Sequence, residues 1–290
     1  MVLGDYFEKH GKTIPKDEAI VFKDRRIDYG AYDRETDRVA MGLLKLGIRR
    51  GDRVGIYLPL WPETLFIYFG AAKIGAVGIP MSIRTTAPEL KFFINDAEIS
   101  VLFLANGFMG ADFMGNLDAV RKDLPKLRHV VSLDSEKEGV LLYETFLADP
   151  DSAALKEAEA AVREDDPAIF IYTSGTTGVP KAAILTHRNV IAMTDAQLRT
   201  TGVVKGDSLL LNLPFSHAGG AVMGVMSAVN AGNKIVLMDL FDPEETLKLI
   251  AAERCTALGQ VPVMYAMELN HPNAGKYDLS SMKIAVVSAQ

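Results

Sequence analysis

The sequence has only one cysteine, and it has no leader pattern of the kind that marks a secreted protein. Its single cysteine, Cys255, cannot form a disulfide within the chain of 290 residues, so a reducing compartment, the cytoplasm, is expected. Cys255 lies at a predicted helix-to-strand junction and is interpreted as a packed core thiol. The first residues show no basic start followed by an apolar core, so no signal peptide is expected.

Long apolar runs and basic runs are also absent. Lys73 interrupts one of the two most apolar stretches, and Asn230, Asn233 and Lys234 interrupt the other. A spanning helix needs about 20 mostly apolar residues, so we expect no stable membrane insertion, although peripheral lipid contact stays open for a lipid substrate. The net charge of −6 argues against a nucleic-acid partner, which would need clustered Lys and Arg.

Hydrophobic residues make up 49% of the chain, enough for one large or two small cores. Their spacing alternates between strand and helix patterns, which predicts an α/β fold with a parallel sheet. Strands are expected over residues 19–22, 26–29, 53–58, 76–80, 99–104, 127–133, 168–172, 183–185, 208–213, 256–261 and 284–288. Helices are expected near the start of the chain and over 31–46, 62–73, 87–96, 187–200 and 218–231, with another beginning at 241–245.

The stretch with the most chemistry covers residues 171–181 and reads Ile-Tyr-Thr-Ser-Gly-Thr-Thr-Gly-Val-Pro-Lys. It follows an apolar run that is short and bulky enough for a buried strand. Small residues let the backbone approach an anion, hydroxyls and amides donate hydrogen bonds to phosphate oxygens, and the lysine adds a positive charge. The composition therefore predicts a phosphate-binding loop.

A surface turn is the alternative interpretation, since Gly, Ser and Thr are ordinary loop residues. The strand before the string and the lysine after it favour the phosphate loop. A P-loop is excluded because Pro180 separates the glycine region from Lys181, and Ala182 follows instead of Ser or Thr. The string contains no Gly-x-Gly-x-x-Gly, so a dinucleotide-binding fold is not indicated.

A second chemical stretch, residues 213–220, reads Leu-Pro-Phe-Ser-His-Ala-Gly-Gly. Its histidine, His217, follows a strand end, which is where open α/β sheets bind ligands, although a histidine at a helix start can also bond its own turn. The small residues of 218–231 either leave an apolar tunnel or permit close helix packing. His187, near the phosphate loop, is expected to have a structural role in the first turn of its helix.

Residues 172–181 resemble the signature loop of the AMP-forming adenylating enzymes, the superfamily of acyl-CoA synthetases, luciferases and peptide-synthetase adenylation domains. The resemblance continues through Leu-Thr-His-Arg-Asn at 185–189. Residues 214–217, with glycines just beyond, resemble the second core motif, and 52–104 is also similar. Residues 261–265 resemble the segment that walls the acyl pocket in CoA ligases, so fatty-acid–CoA ligases are the nearest group.

The resemblance implies a role for each matched residue. His217 would lie beside the acyl carboxylate as the catalytic-site histidine, and Thr176 would also reach a Mg²⁺ ion. The residues implied to cradle the pyrophosphate are Thr173, Ser174, Gly175, Thr176, Thr177, Gly178 and Lys181. Those implied to contact adenine are Ser288, Ala289 and Gln290, where relatives usually carry Gly in place of Ala289. The resemblance also implies six residues that line the acid pocket: His217, Gly219, Gly220, Gly224, Val261 and Tyr265.

The implied fold is α/β, with the two facing sheet-and-helix layers of an adenylating-enzyme N-terminal domain, truncated. Residues 50–204 are expected to form the first subdomain, and residues 1–49 with 205–290 an incomplete second one. The resemblance covers only the first half or so of a typical member. We therefore expect an N-terminal portion that is inactive alone, since the magnesium-binding glutamate and the mobile C-terminal domain would lie beyond residue 290.

The implied activity is an ATP-dependent, AMP-forming acyl-CoA synthetase that joins a carboxylic acid, expected to be a fatty acid, to CoA. Its partners would be the acid, ATP, Mg²⁺ and CoA, and the CoA and complete Mg²⁺ sites would need further residues. An aryl- or short-acid-CoA ligase and an amino-acid adenylation domain remain alternatives within the superfamily. A non-catalytic nucleotide-binding protein is the alternative from another class, and homodimer formation is left open.

Overall fold

The computed structural model describes residues 1–173 and 179–287. The chain divides into two compact units. The first comprises Met1–Asp5, Arg34–Pro59 and Glu63–Arg188, and the second comprises Tyr6–Asp33, Leu60–Pro62 and Asn189–Gln290. The subdomain bounds that the sequence suggested, at residues 49/50 and 204/205, differ from these and stay a prediction.

The described strands, in chain order, are β1 (Glu18–Phe22), β2 (Arg25–Asp28), β3 (Arg53–Tyr57), β4 (Val77–Pro80), β5 (Val101–Leu104), β6 (Gly107–Phe108), β7 (Ala111–Asp112), β8 (His129–Ser132), β9 (Leu141–Leu142), β10 (Pro167–Thr173), β11 (Lys181–Thr186), β12 (Ser208–Leu211), β13 (Lys234–Leu237), β14 (Ala257–Gln260) and β15 (Ile284–Val287). The described α-helices are α1 (Leu3–Thr13), α2 (Tyr29–Lys45), α3 (Pro62–Lys73), α4 (Ala87–Asp96), α5 (Phe113–Val120), α6 (Tyr143–Phe146), α7 (Ser152–Ala161), α8 (His187–Thr201), α9 (Ser227–Ala231), α10 (Pro243–Glu253) and α11 (Pro262–Leu269).

The first unit contains a seven-stranded sheet in the order β11-β10-β4-β3-β5-β8-β9. Its central strands are parallel and fully apolar in their buried stretches, as in β5, whose four residues are all buried. Continuous apolar strands of this kind are typical of parallel sheets covered on both faces. The predicted α/β class is therefore confirmed for this unit.

The second unit contains a six-stranded sheet in the order β15-β14-β12-β13-β1-β2. One core cluster joins four of its strands to α10 and the turn that follows α10, through Val21, Leu210, Val236, Ile250, Cys255 and Leu258. The described part of each sheet ends in one antiparallel edge strand, β2 on β1 and β11 on β10. The parallel sheet expected from the sequence is therefore found in the interior of both sheets, with antiparallel pairing added at these two edges.

Several helix ends follow from local chemistry. Helices α3 and α4 have the bounds that the sequence predicts, because proline lies in the first turn of each and Thr86 and Glu89 form a capping box before α4. The helix expected over 218–231 is different: residues Gly219–Met226 form a π-helix, and only Ser227–Ala231 is α-helical. In the described residues, no helix combines the length and apolar character needed to cross a membrane.

Candidate functional site

The two ends of the predicted phosphate loop lie side by side in the first unit. Thr173 ends β10 and Lys181 begins β11, and the two residues are paired in the antiparallel register. Directly paired residues share one face of a sheet, and both of these side chains are exposed. The Thr173 hydroxyl lies 3.4 Å from the Lys181 carbonyl oxygen, to which it donates. The pairing therefore places Thr173 and Lys181 next to one another on one face of the sheet.

The remaining predicted loop residues, Ser174, Gly175, Thr176, Thr177 and Gly178, lie outside the described residues. So do the three that were expected to contact adenine, Ser288, Ala289 and Gln290. Their roles stay predictions, including the Mg²⁺ contact of Thr176. In residues 1–173 and 179–287, no group of three or more His, Cys, Asp or Glu side chains could hold a metal ion.

Tyr172 anchors the strand that leads into the loop. Its hydroxyl donates a 2.6 Å hydrogen bond to Asp96, and its ring lies 4.6 Å from that of Phe93. Burial, the hydrogen bond to Asp96 and its negative charge raise the pKa of Tyr172, so the phenol stays protonated. The motif in the sequence includes Tyr172 without indicating a role for it; an aromatic residue at a strand end beside a glycine-rich loop is the signal that could have suggested one.

His217 lies in a tightly bonded turn of the second unit. Its backbone N–H donates to the Pro214 carbonyl at 3.1 Å, and its own carbonyl accepts from Gly220 and Ala221 at 3.0 and 2.9 Å. Its ring Nδ1 accepts a 3.2 Å hydrogen bond from the Gly219 backbone N–H. The ring itself is exposed, so the turn fixes the backbone and one ring nitrogen while leaving the rest of the imidazole accessible.

The glycines after His217 are needed for close packing. A Cβ on Gly220 would lie 2.3 Å from the Pro214 carbonyl oxygen, and one on Gly224 would lie 2.3 Å from the Leu211 Cδ1. The backbone of the π-helix can approach this turn because Gly220 has no side chain, whereas a Cβ on Gly224 would meet the end of a Leu211 side chain, which can shift. Close packing, one of the two interpretations left open by the sequence, is therefore a real function of these residues.

A small apolar cavity of about 50 Å³ also lies beside the π-helix, within the second unit. Gly219 and Gly224 line it together with Met223, and Gln197 closes part of its wall. The Gln197 amide donates to the Met223 carbonyl at 3.0 Å, and its oxygen accepts from the Ser227 hydroxyl at 3.1 Å. The same helix thus packs against backbone atoms at Gly220 and borders an apolar space at Gly219 and Gly224.

His217, predicted for the acid pocket, is not among the residues that line the described cavity. Three more residues predicted for that pocket, Gly220, Val261 and Tyr265, do not line it either. Val261 precedes α11 as its N-cap. The Tyr265 hydroxyl lies 2.9 and 3.1 Å from the carbonyl oxygens of Leu258 and Val286, to which it can donate, and the ring packs against the core cluster. A pocket role for these three stays a prediction.

Two nearby titratable residues are structural. His187 is buried, and its Nδ1 accepts a 3.2 Å hydrogen bond from the Leu3 backbone N–H. Burial lowers the pKa of His187 to about 4, so the ring is neutral near pH 7. Cys255 is a buried free thiol, and burial raises its pKa to about 11, which leaves it protonated and unreactive.

Comparison with known proteins identifies the family. Residues 7–290 match the family described as AMP-binding enzyme, and the chain belongs to it. The chain is 29% identical over 283 residues to the medium-chain fatty-acid–CoA ligase of Escherichia coli, covering 97% of this chain and 50% of that protein. It is 29% identical over 284 residues to the indoleacetate–CoA ligase of Aromatoleum aromaticum, covering 98% and 54% respectively.

Solved structures agree on the fold. The Mycobacterium tuberculosis fatty acyl CoA synthetase superposes with a TM-score of 0.85 at 26% identity, over 99% of this chain and 55% of that one. The inhibitor-bound N-terminal domain of FACL13 from the same organism gives 0.84 at 26% identity, over 100% and 70%. The chain spans about half the length of the curated relatives it matches.

Proposed function

We propose that this chain is the N-terminal part of an ATP-dependent, AMP-forming acyl-CoA synthetase that activates a carboxylic acid. The observation that carries the proposal is the signature hairpin: Thr173 and Lys181 are paired at the two ends of the loop, within a chain that matches the AMP-binding family over residues 7–290. The relatives are named acyl-CoA ligases, which supplies the acid and CoA as the proposed substrates.

The proposed reaction has two steps. A carboxylate oxygen of the acid attacks the α-phosphorus of ATP, so that an acyl–phosphate bond forms, the α–β anhydride bond breaks and pyrophosphate leaves. The sulfur of CoA then attacks the acyl carbon, AMP leaves and the thiol proton goes to solvent. The acid needs no general base, because a carboxylate is already ionised near neutral pH.

The residues of the hairpin fit a nucleotide phosphate. Lys181 carries an exposed ammonium group, which forms charge-assisted hydrogen bonds with phosphate oxygens, and Thr173 offers an adjacent hydroxyl. In the proposal, Lys181 holds the departing pyrophosphate, and Thr176 contributes to the Mg²⁺ site. Bound Mg²⁺ supplies neutralisation of the phosphate charge that develops during the reaction.

A fatty acid is the proposed substrate class, supported by the apolar cavity beside Met223 and by the named fatty-acid ligase among the relatives. The cavity of about 50 Å³ is small for a chain, since one water molecule takes about 30 Å³ of liquid. Met223 is flexible and could rotate to lengthen it. A short or aromatic acid is the second candidate, favoured by that small volume.

A cytoplasmic location is part of the proposal, supported by the single, unpaired Cys255 in a buried position.

The experiment is acid-dependent exchange between ATP and labelled pyrophosphate, with fatty, aryl and amino acids of matched concentration. The full-length gene product should exchange label only when an acid is present, fastest with fatty acids. The chain of residues 1–290 should be inactive when folded. An aryl or amino-acid preference would reject the fatty-acid assignment, and ATP binding without acid-dependent exchange in the full-length product would favour a non-catalytic nucleotide-binding protein.

A further inference from the structure

The ring of His217 is held in one orientation and one protonation pattern by its own turn. The Gly219 backbone N–H donates to Nδ1 of the ring at 3.2 Å. A ring nitrogen that accepts a hydrogen bond carries no hydrogen, and in a neutral imidazole the hydrogen must then sit on the other nitrogen. The contact therefore selects the tautomer with its hydrogen on Nε2.

We propose that the Gly219 amide is a positioning group, which holds His217 as the Nε2–H tautomer so that this residue binds a carboxylate solely as an Nε2–H donor. The identity of the carboxylate, that of the acid substrate, rests on the proposed function. The tautomer is inferred from the hydrogen bond between Gly219 and His217 alone, independently of the proposed function.

The geometry of the turn supports a fixed donor. Three backbone hydrogen bonds hold the His217 peptide groups, at 2.9 to 3.1 Å. The Gly219 N–H lies at the first residue of the π-helix, where an amide has no partner within its own helix and is free to bond a side chain. On the opposite side of the ring, Nε2 has no partner among residues 1–173 and 179–287, and the side chain is exposed.

The tautomer decides which chemistry His217 can perform. Its one unprotonated nitrogen, Nδ1, is occupied by the Gly219 amide, so the ring presents a donor and no free base. A carboxylate oxygen is an acceptor only, and an N–H donor is its natural partner. His217 would orient the acid and stabilise its charge, without taking a proton from it.

The chain contains an internal reference for this arrangement. His271 also accepts a hydrogen bond at Nδ1 from the backbone N–H two residues later, that of Asn273, at 3.3 Å. A hydrogen bond from the backbone N–H two residues later to the histidine Nδ1 therefore occurs at two places in this chain. What distinguishes His217 is its position in the motif that resembles the adenylating enzymes, two residues before Gly219, which lines the apolar cavity.

The first test is NMR spectroscopy of the chain with ring-¹⁵N histidine. The sequence has only five histidines, and the spectrum of the His217→Gln variant assigns the resonance of interest. We expect the Nε2–H pattern for His217, with scalar coupling across the hydrogen bond between the Gly219 amide nitrogen and Nδ1. The Gly219→Ala variant keeps the amide and should keep the pattern. An Nδ1–H tautomer, or an even mixture without coupling, would overturn the proposal.

The second test separates the two nitrogens by function. Glutamine can place an amide N–H near the position of Nε2, whereas asparagine places one near Nδ1. In acid-dependent exchange by the full-length gene product, His217→Gln should keep a KM for the acid at least roughly tenfold lower than that of His217→Asn, the size of a hydrogen bond to a charged group. Equal KM values would refute the Nε2 donor. Absence of exchange in the wild type would instead refute the proposed function, and the NMR result would still decide the tautomer.

Discussion

The adjacent glycines at the start of the π-helix give a matched pair of substitutions. In Gly220→Ala, the new Cβ would lie 2.3 Å from the Pro214 carbonyl oxygen and 2.8 Å from that of Leu213. Both contacts are with backbone atoms, so relief requires the turn to move. In Gly219→Ala, the nearest atoms are the Leu213 Cδ1 at 3.3 Å and the His217 Nδ1 at 3.4 Å, which are side-chain atoms that can shift slightly.

The pair isolates the cost of the clash. Replacing glycine by alanine within a helix is ordinarily favourable by about 1 kcal/mol, and both variants share this gain to a similar degree. Overpacking against a rigid neighbour costs about 1–3 kcal/mol. We therefore expect Gly220→Ala to be less stable than Gly219→Ala by about 1–3 kcal/mol.

The assay is urea and thermal unfolding of the two variants and the wild type, followed by circular dichroism. A difference of 1 kcal/mol corresponds to about 2–4 °C in Tm for a folding unit of 150–250 residues. The difference should appear in the unfolding midpoint with the same dependence on urea. Equal midpoints for the two variants would show that the turn relaxes freely around Gly220, and the close-packing interpretation would be wrong.

Three further predictions follow from other residues. Lys181→Ala should lower pyrophosphate exchange by roughly 10- to 150-fold in the full-length product, because a charge-assisted hydrogen bond to phosphate is lost. The control variant Lys156→Ala, at another exposed lysine, should not lower it. Equal rates for the two variants would remove Lys181 from the site. Burial lowers the pKa of His187 from 6.5 to about 4 on folding. The folded state therefore favours the neutral ring, and this contribution to stability is fully present above pH 6.5. About 3 kcal/mol of it is lost as the pH drops from 6.5 to 4, because the unfolded chain binds the proton more tightly. Stability curves of His187→Gln should be flatter across this window, and parallel curves would contradict the assignment. Met223→Ala should enlarge the cavity and move the acid preference towards longer chains, and an unchanged chain-length profile would exclude this cavity as the acyl site.

Local signals predicted the helices well where they were strong. Proline in the first turn set the start of α3, and the Thr86–Glu89 capping box set that of α4. The short helix α5 was missed, although Asp112 caps it through the Gly115 amide at 2.7 Å. A glycine and an asparagine inside so short a helix lower its intrinsic propensity, and tertiary packing compensates.

Features that depend on the detailed backbone path or on strand pairing could not be predicted. The strand after the phosphate loop was expected to begin at Ala183, but β11 starts at Lys181, because pairing with β10 extends to the Thr173 register. No sequence pattern distinguishes a π-helix from an α-helix over 219–226, since the difference lies in which carbonyl each amide selects. The bond from Gly219 to His217 depends on that local backbone path and was likewise unforeseen.

The proposed function requires that the full-length gene product forms AMP. The most direct measurement is the fate of the label when the full-length gene product turns over ATP labelled at the α-phosphorus, with a fatty acid and CoA. The proposed chemistry predicts labelled AMP in amounts equal to the acyl-CoA formed, and none without the acid. Labelled ADP would mean attack at a different phosphorus and would contradict the adenylation mechanism, whatever the acid preference.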